Sequence, residues 1–187
     1  MRKIVLFMHV TADGFAGGPN GEMDWIHVDE EIFEYAGRET DRADAALYGK
    51  TTYQMMEGYW PTAADQPNAS KHDIQHSNWY NRVPKIVLSR SMKSDPSKNL
   101  IVISDNLADE INKLKQQPGK NIIIFGSATA VRSLLKENLI DEFWLFVNPV
   151  VMGTGLSFFD GVKSRLKLKL ISGRAFASGV VCLHYEK

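Results

Sequence analysis

The run Ile4-Val5-Leu6-Phe7-Met8 is unbroken apolar sequence without helical spacing, the pattern of a strand covered on both faces. The pattern lapses over residues 13–21, where four glycines and one proline predict a flexible loop. Asp29 then precedes Glu30, Glu31, Ile32 and Phe33, which offers an N-cap and an acidic first turn and predicts a helix over about 29–40. Residues 43–48 read as a short strand closed by Gly49, and the apolar positions from Lys50 to Met56 suit a helix. Residues 58–78 are polar and include Pro61 and Pro67, so they form an excursion that contains the start of a helix over 70–81. Its length points to a functional or oligomer-forming role.

Further strands are predicted at 85–89, 100–103, 122–125 and 143–147. A helix over 107–116 is stopped by Pro118-Gly119, and Val131, Leu134 and Leu135 mark another helix. Leu166, Leu168 and Leu170 alternate with Lys167 and Lys169, the period of a half-exposed strand, and residues 180–185 can pair with it across 172–179. Strands alternating with helices and closing in an antiparallel hairpin imply an α/β fold with a mixed, mostly parallel sheet.

Composition changes this picture little. The 187 residues are 44% hydrophobic and 24% charged, which suits one ordinary globular domain with its own core. Lys plus Arg equals Asp plus Glu at 22 each, so no basic surplus favours nucleic acid or an anionic membrane as partner. The start, Arg2-Lys3 followed by Ile4 to Val10, is short for an export signal and reads as the first strand. Cys182 is the single cysteine, so an internal disulfide and a cysteine-rich zinc cluster are excluded, and a reducing cytoplasm is the expected compartment.

Three turns at strand ends look ready for anions. Phe125 leads into Gly126-Ser127-Ala128-Thr129 and then a helix, so small residues open the backbone where the helix N–H groups and positive end favour phosphate. A tight turn capped by serine or threonine, with no ligand, is the plainer alternative. Gly49-Lys50-Thr51-Thr52-Tyr53 repeats the idea with a cation and two hydroxyls. Leu88-Ser89-Arg90 ends another strand with an arginine able to grip a 2′-phosphate and so select NADPH over NADH. Asp13, before Gly14, is either a substrate-binding carboxylate or a turn former. Glu30 is a second candidate carboxylate beside its reading as ordinary first-turn acid, and Trp25 and Tyr53 are candidate stacking rings beside a core role. Residues 17–21 could act as a lid. His72 and His76 share helical spacing without an evident third metal ligand, so they read as a solvated face, and no metal is expected.

The order of these pieces resembles the dihydrofolate reductase-like superfamily, and within it the reductase domain of bacterial riboflavin biosynthesis proteins, the RibD C-terminal family, with its stand-alone relatives. The residues carrying the resemblance are Thr11-Ala12-Asp13-Gly14, Gly49-Lys50-Thr51-Thr52-Tyr53, Leu88-Ser89-Arg90, Phe125-Gly126-Ser127-Ala128, Gly153-Thr154-Gly155 with Phe158-Phe159, and the closing Gly179-Val180-Val181. The resemblance implies a three-layer αβα fold and an NADPH-dependent reductase of a pyrimidine- or pterin-like substrate, similar to 5-amino-6-(5-phosphoribosylamino)uracil reductase. It assigns phosphate contacts to Gly49, Lys50, Thr51 and Thr52, the 2′-phosphoadenosine end to Ser89 and Arg90, the pyrophosphate to Gly126, Ser127, Ala128 and Thr129, and the nicotinamide to the neighbourhood of Ala12 and Gly126. Asp13, Trp25, Tyr53, Glu30 and Phe159 would face substrate, with Asp13 and Glu30 as the catalytic candidates. A homodimer is also implied. Phe7 and His9 stand where riboflavin proteins tend to carry a basic and a small residue, which counts against a phosphoribosyl substrate. The rival readings are a true dihydrofolate reductase and a nucleotide-binding module without catalysis.

Overall fold

β1 (Ile4–Thr11) is buried along almost its whole length, as its continuous apolar sequence requires of a strand with neighbours on both faces. The computed structural model describes residues 1–160, 162 and 164–187. After β1 come α1 (Glu30–Thr40), β2 (Ala43–Gly49), α2 (Lys50–Glu57), α3 (Lys71–Arg82), β3 (Lys85–Leu88), β4 (Leu100–Ile103), α4 (Leu107–Gln116), β5 (Asn121–Phe125), α5 (Ala128–Lys136), β6 (Glu142–Asn148), β7 (Lys169–Ala175) and β8 (Val181–Glu186). Among the described residues the strands form one eight-stranded sheet in the order β4-β3-β2-β5-β1-β6-β8-β7. The pairs β1–β6, β2–β3 and β3–β4 are parallel, whereas β6–β8 and β7–β8 are antiparallel. This is the expected α/β fold, a mixed and mostly parallel sheet closed by a C-terminal hairpin.

The contacts divide the chain into two compact units, one of residues 1–2 and 30–123, the other of residues 3–29 and 124–187. In the first, Leu47, Tyr48, Tyr80, Ile86, Val87 and Ile111 are fully or almost fully buried. The Trp79 indole reaches from α3 to donate to the Ala43 carbonyl at 3.0 Å, tying helix to sheet. Ser70 caps α3 with a reciprocal capping box to Asp73, so the polar excursion ends in a well-defined helix start. The expectation of a solvated His72–His76 face is corrected here. His72 lies on Phe33 at a ring separation of 3.8 Å, and His76, only 8% exposed, meets Trp60 at 4.2 Å. Aromatics from α1 and from the 3-10 turn Trp60–Asp65 cover a helix face whose own sequence is polar. Burial pushes His76 down to about 3. No cluster of three or more metal-ligating side chains occurs among the described residues.

In the second unit, β1 and β6 run in register from Val5 opposite Glu142 to Thr11 opposite Asn148, around a core that includes Leu6, Phe143, Phe146 and Phe158. Glu142 accepts from Lys3 at 2.5 Å and lies 3.1 Å from His184. Lys3 also reaches Glu186 at 2.9 Å, and these two carboxylates raise its pKa. The hairpin register departs from the sequence expectation. β7 begins at Lys169, not Leu166, and continues through Ser172, Gly173 and Arg174, which were assigned to the connection. Residues 176–180 make the turn, closed by Phe176 N–H to the Val180 carbonyl at 2.9 Å. Pairing with β8, including a bulge between Leu170 and Ser172, sets the register, because β7 has no buried face for Leu170 to select.

The glycine-rich stretch 13–21 is fastened rather than loose. Ala16 N–H donates to the Leu156 carbonyl and Leu156 N–H to the Gly17 carbonyl, both at 2.8 Å, and Phe15 bridges Ser157 in antiparallel fashion. A β-carbon on Gly155 would lie 2.4 Å from the Gly17 carbonyl oxygen, so this approach requires glycine. No helix among the described residues is long and apolar enough to cross a membrane.

Candidate functional site

In the second unit, the turn from β5 to α5 holds two consecutive left-handed residues, Gly126 at φ 55° and Ser127 at φ 64°. Such a serine costs on the order of 1 kcal/mol or more, so the surroundings must hold it there. Part of that hold is visible: Gly126 N–H donates to the Phe7 carbonyl at 3.1 Å, and the Ser127 carbonyl receives the Val131 N–H at 3.0 Å to open α5. The Ser127 side chain makes no cap hydrogen bond to the helix. Ser127 therefore puts no side-chain oxygen on the first N–H groups of α5, which carry the positive end of its dipole. A β-carbon added at Gly126 would meet nothing within 4 Å, so the space over the turn is open.

The end of β1 in the same unit is a lattice of backbone and carboxylate bonds. Ala12 N–H donates to the Val150 carbonyl at 2.8 Å. Asp13 accepts from the Thr11 hydroxyl at 2.6 Å, and from the backbone N–H groups of Met152 at 3.1 Å and Gly153 at 2.7 Å. The Thr11 hydroxyl and these amides hold the Asp13 carboxyl below the usual carboxylate range. Asp13 is thus an exposed, ionised anchor for the 152–153 turn. Trp25 is half-buried and donates from its indole to the Glu22 carbonyl at 3.0 Å. Phe159 is 42% exposed and lies 4.0 Å, ring to ring, from the fully buried Phe158.

Sequence reasoning missed Asn148. It is fully buried, accepts the His27 N–H at 2.9 Å, and donates to the Phe146 carbonyl at 3.0 Å and toward His9 Nδ1 at 3.2 Å. His9 thus accepts at Nδ1, with its ring on Phe146, and burial pushes its pKa down to about 4. An asparagine between an apolar strand and Pro149 was the one available signal.

In the first unit, the β2–β3 register pairs Gly49 with Leu88, so Lys50 and Ser89 follow neighbouring strand ends. Lys50 Nζ donates to the Ser91 hydroxyl at 3.0 Å, and Ser91 N–H donates to the Ser89 hydroxyl at 3.2 Å. This brings together two predicted residues through a third, Ser91, which the sequence reading passed over. Gly49 caps α2 without a side-chain bond, Thr51 and Arg90 are exposed, and Thr52 is half-buried. Tyr53 belongs to the core, 5% exposed and 6.5 Å from the Tyr48 ring, so its faces are taken by protein. Glu30 stands exposed in the first turn of α1.

Residues 2–182 match the family described as the RibD C-terminal domain. The chain belongs to that family. It is 37% identical to the uncharacterized protein YyaP of Bacillus subtilis over 190 residues, covering 99% of this chain and 95% of that one. Among solved structures it resembles a putative riboflavin biosynthesis protein from Shewanella sp. PV-4, with a TM-score of 0.72 and 23% identity over 100% of this chain and 98% of that chain. It also resembles a deaminase/5-amino-6-(5-phosphoribosylamino)uracil reductase from Thermotoga maritima, with a TM-score of 0.67 and 15% identity over 99% of this chain but 56% of that one. The resemblance seen in the sequence is borne out, and the likeness to these structures is one of fold.

Proposed function

We propose that this member of the RibD C-terminal family is an NADPH-dependent reductase that delivers hydride to a C=N or C=O carbon of a small heterocycle of the pyrimidine or pterin type. The observation that carries the reading is the Gly126–Ser127 turn: two left-handed residues, an open face over Gly126, and a helix start with no side-chain cap on it. That geometry fits a diphosphate, held by the backbone of Gly126, Ser127, Ala128 and Thr129. In the first unit, Lys50 with Gly49, Thr51 and Thr52 supplies a cation and hydroxyls for phosphate, and Ser89 and Arg90 suit a 2′-phosphate. The bound dinucleotide would supply the hydride; the chain binds, orients and keeps water away. Ala12 is proposed beside the nicotinamide.

Asp13 and Glu30 remain the candidate acidic groups, in different roles from a shared proton store. Asp13, ionised and committed to the 152–153 amides, positions the loop that borders the substrate. Glu30 and a solvent water are the candidates for moving a proton, and Trp25 and Phe159 offer rings to a flat substrate. Tyr53 acts through the core beneath Thr52. We place the protein in the cytoplasm as a homodimer, and size-exclusion chromatography with light scattering tests the dimer directly.

The deciding experiment titrates NADPH and NADH calorimetrically into the wild type and into Arg90→Ala. NADPH should bind more tightly, and loss of one arginine–phosphate contact should weaken it by about tenfold or more while leaving NADH little changed. Failure of NADPH to bind removes the reading. Binding without oxidation across a panel of pterins, dihydrofolate, flavin precursors and small carbonyls would favour the non-catalytic module, and turnover of dihydrofolate alone would favour a true dihydrofolate reductase.

A further inference from the structure

Lys85 opens β3 as a lysine with only 5% exposure. Its ammonium donates to the Tyr80 carbonyl at 3.2 Å and lies 4.8 Å from the centre of the Tyr80 ring. No carboxylate pairs with it among the described residues. An ammonium has three N–H donors, so a buried one with a single acceptor is incompletely satisfied. It borders a cavity of about 220 Å³, whose wall also holds Glu57, Asn81, Lys98 and Asn99. Water takes about 30 Å³, so this volume holds a molecule of several heavy atoms.

The wall is built by ordered contacts. The Asn81 amide donates to the Pro61 carbonyl at 3.0 Å, and the Asn99 carbonyl receives the Lys85 N–H at 2.9 Å. Glu57 Oε2 accepts the Tyr80 hydroxyl at 2.8 Å, its charge is felt at Lys85, and a carboxylate has acceptor sites to spare. The wall carries two ammonium groups and one carboxylate, and Asp95 lies near enough to interact with Lys98, a nearly balanced set that suits a monoanion better than a dianion. β3 separates the cavity from the Ser89–Arg90 end, since the four steps from Lys85 to Ser89 at the usual strand rise span about 13 Å. The cavity is therefore distinct from the proposed nucleotide contacts of this unit.

We propose that this cavity is a second binding site, for a small organic monoanion that places a carboxylate on Lys85 and Lys98 and a hydrogen-bond donor on Glu57. Burial holds the Lys85 pKa below the usual lysine range, so an anion arriving beside it stabilises the charged form. A small hydroxy acid offers a carboxylate and a hydroxyl donor in one molecule; acetate has one end only, and inorganic phosphate carries too much charge.

The test follows thermal unfolding and calorimetric titration with acetate, 3-hydroxybutyrate, 4-hydroxybutyrate and inorganic phosphate, in wild type, Lys85→Met, Lys98→Ala and Glu57→Gln. Wild type should show a saturable rise in Tm with a hydroxybutyrate, about 5 to 10 °C at a hundredfold excess over Kd. Lys85→Met keeps the side-chain volume and removes a buried charge, so it should fold and bind at least about tenfold more weakly. The exposed Lys98→Ala should weaken binding with its fold intact, and Glu57→Gln should narrow the advantage of hydroxybutyrate over acetate. Absence of any saturable binding overturns the proposal, as does equal binding by wild type, Lys85→Met and Lys98→Ala, or an equal response to phosphate.

Discussion

Asn148 offers the sharpest test of how the second unit holds its strand ends. Changing it to leucine keeps roughly the same volume and removes every hydrogen bond of the side chain, so cavity formation drops out of the comparison. The lost bonds are the acceptor for His27 N–H at 2.9 Å and the donors to the Phe146 carbonyl at 3.0 Å and His9 Nδ1 at 3.2 Å, with a longer one to the Val10 carbonyl at 3.4 Å. Each buried group left unsatisfied costs about 1–3 kcal/mol, with the His27 amide at the low end because that residue is exposed. The sum is about 3–7 kcal/mol, a large share of the roughly 5–15 kcal/mol that separates folded from unfolded protein. Urea unfolding followed by fluorescence should move its midpoint down by about 1–3 M. Hydrogen exchange at the His27 amide supplies a local readout and should speed up in Asn148→Leu even under native conditions. Asn148→Ala should lose at least as much. If Asn148→Leu unfolds within about 1 kcal/mol of wild type and the His27 amide keeps its protection, the network is not what fixes these strand ends.

Gly155→Ala should be strongly destabilising because its β-carbon would lie 2.4 Å from the Gly17 carbonyl oxygen; a fall in Tm, with Gly37→Ala as the control whose β-carbon meets nothing within 4 Å, measures it. His9 and His76 have folded pKa values pushed down to about 4 and about 3, so the unfolded chain takes up their protons first as pH falls below 6.5. Their contribution is complete above that value and lost progressively down to about pH 3, on the order of several kcal/mol, and His76→Phe should flatten the acid limb of a stability–pH curve. Asp13→Ala should accelerate hydrogen exchange at the Gly153 amide, whose 2.7 Å bond it removes; unchanged exchange would deny Asp13 its anchoring role.

The central strands were legible because burial on both faces writes itself as continuous apolar sequence, as in Ile4 to Met8 and Ile122 to Phe125. The strand-end turns were legible for a related reason, since Gly126 and Gly49 sit where apolar runs stop. β7 was misplaced because an edge strand with seven residues exposed or half-exposed has no hydrophobic face to announce its register. The His72–His76 cluster escaped because its covering rings, Phe33 and Trp60, come from other segments, and a helix's own sequence does not record what lands on it. Asp13 was visible as a candidate, yet its partners, the Met152 and Gly153 amides, lie far along the chain and meet it only in the fold. Lys85 looked like an ordinary charged strand start until its 5% exposure was seen.

The bonds between residues 15–17 and 155–157 carry a consequence for how this chain can change. Two loops far apart in sequence share one short ladder, with Gly155 pressed against the Gly17 carbonyl. An insertion in either loop alone would slip that ladder and strand the other loop's backbone groups. The two should therefore lengthen, shorten and exchange as a pair, and grafts that transplant both together should be tolerated where single-loop grafts fail.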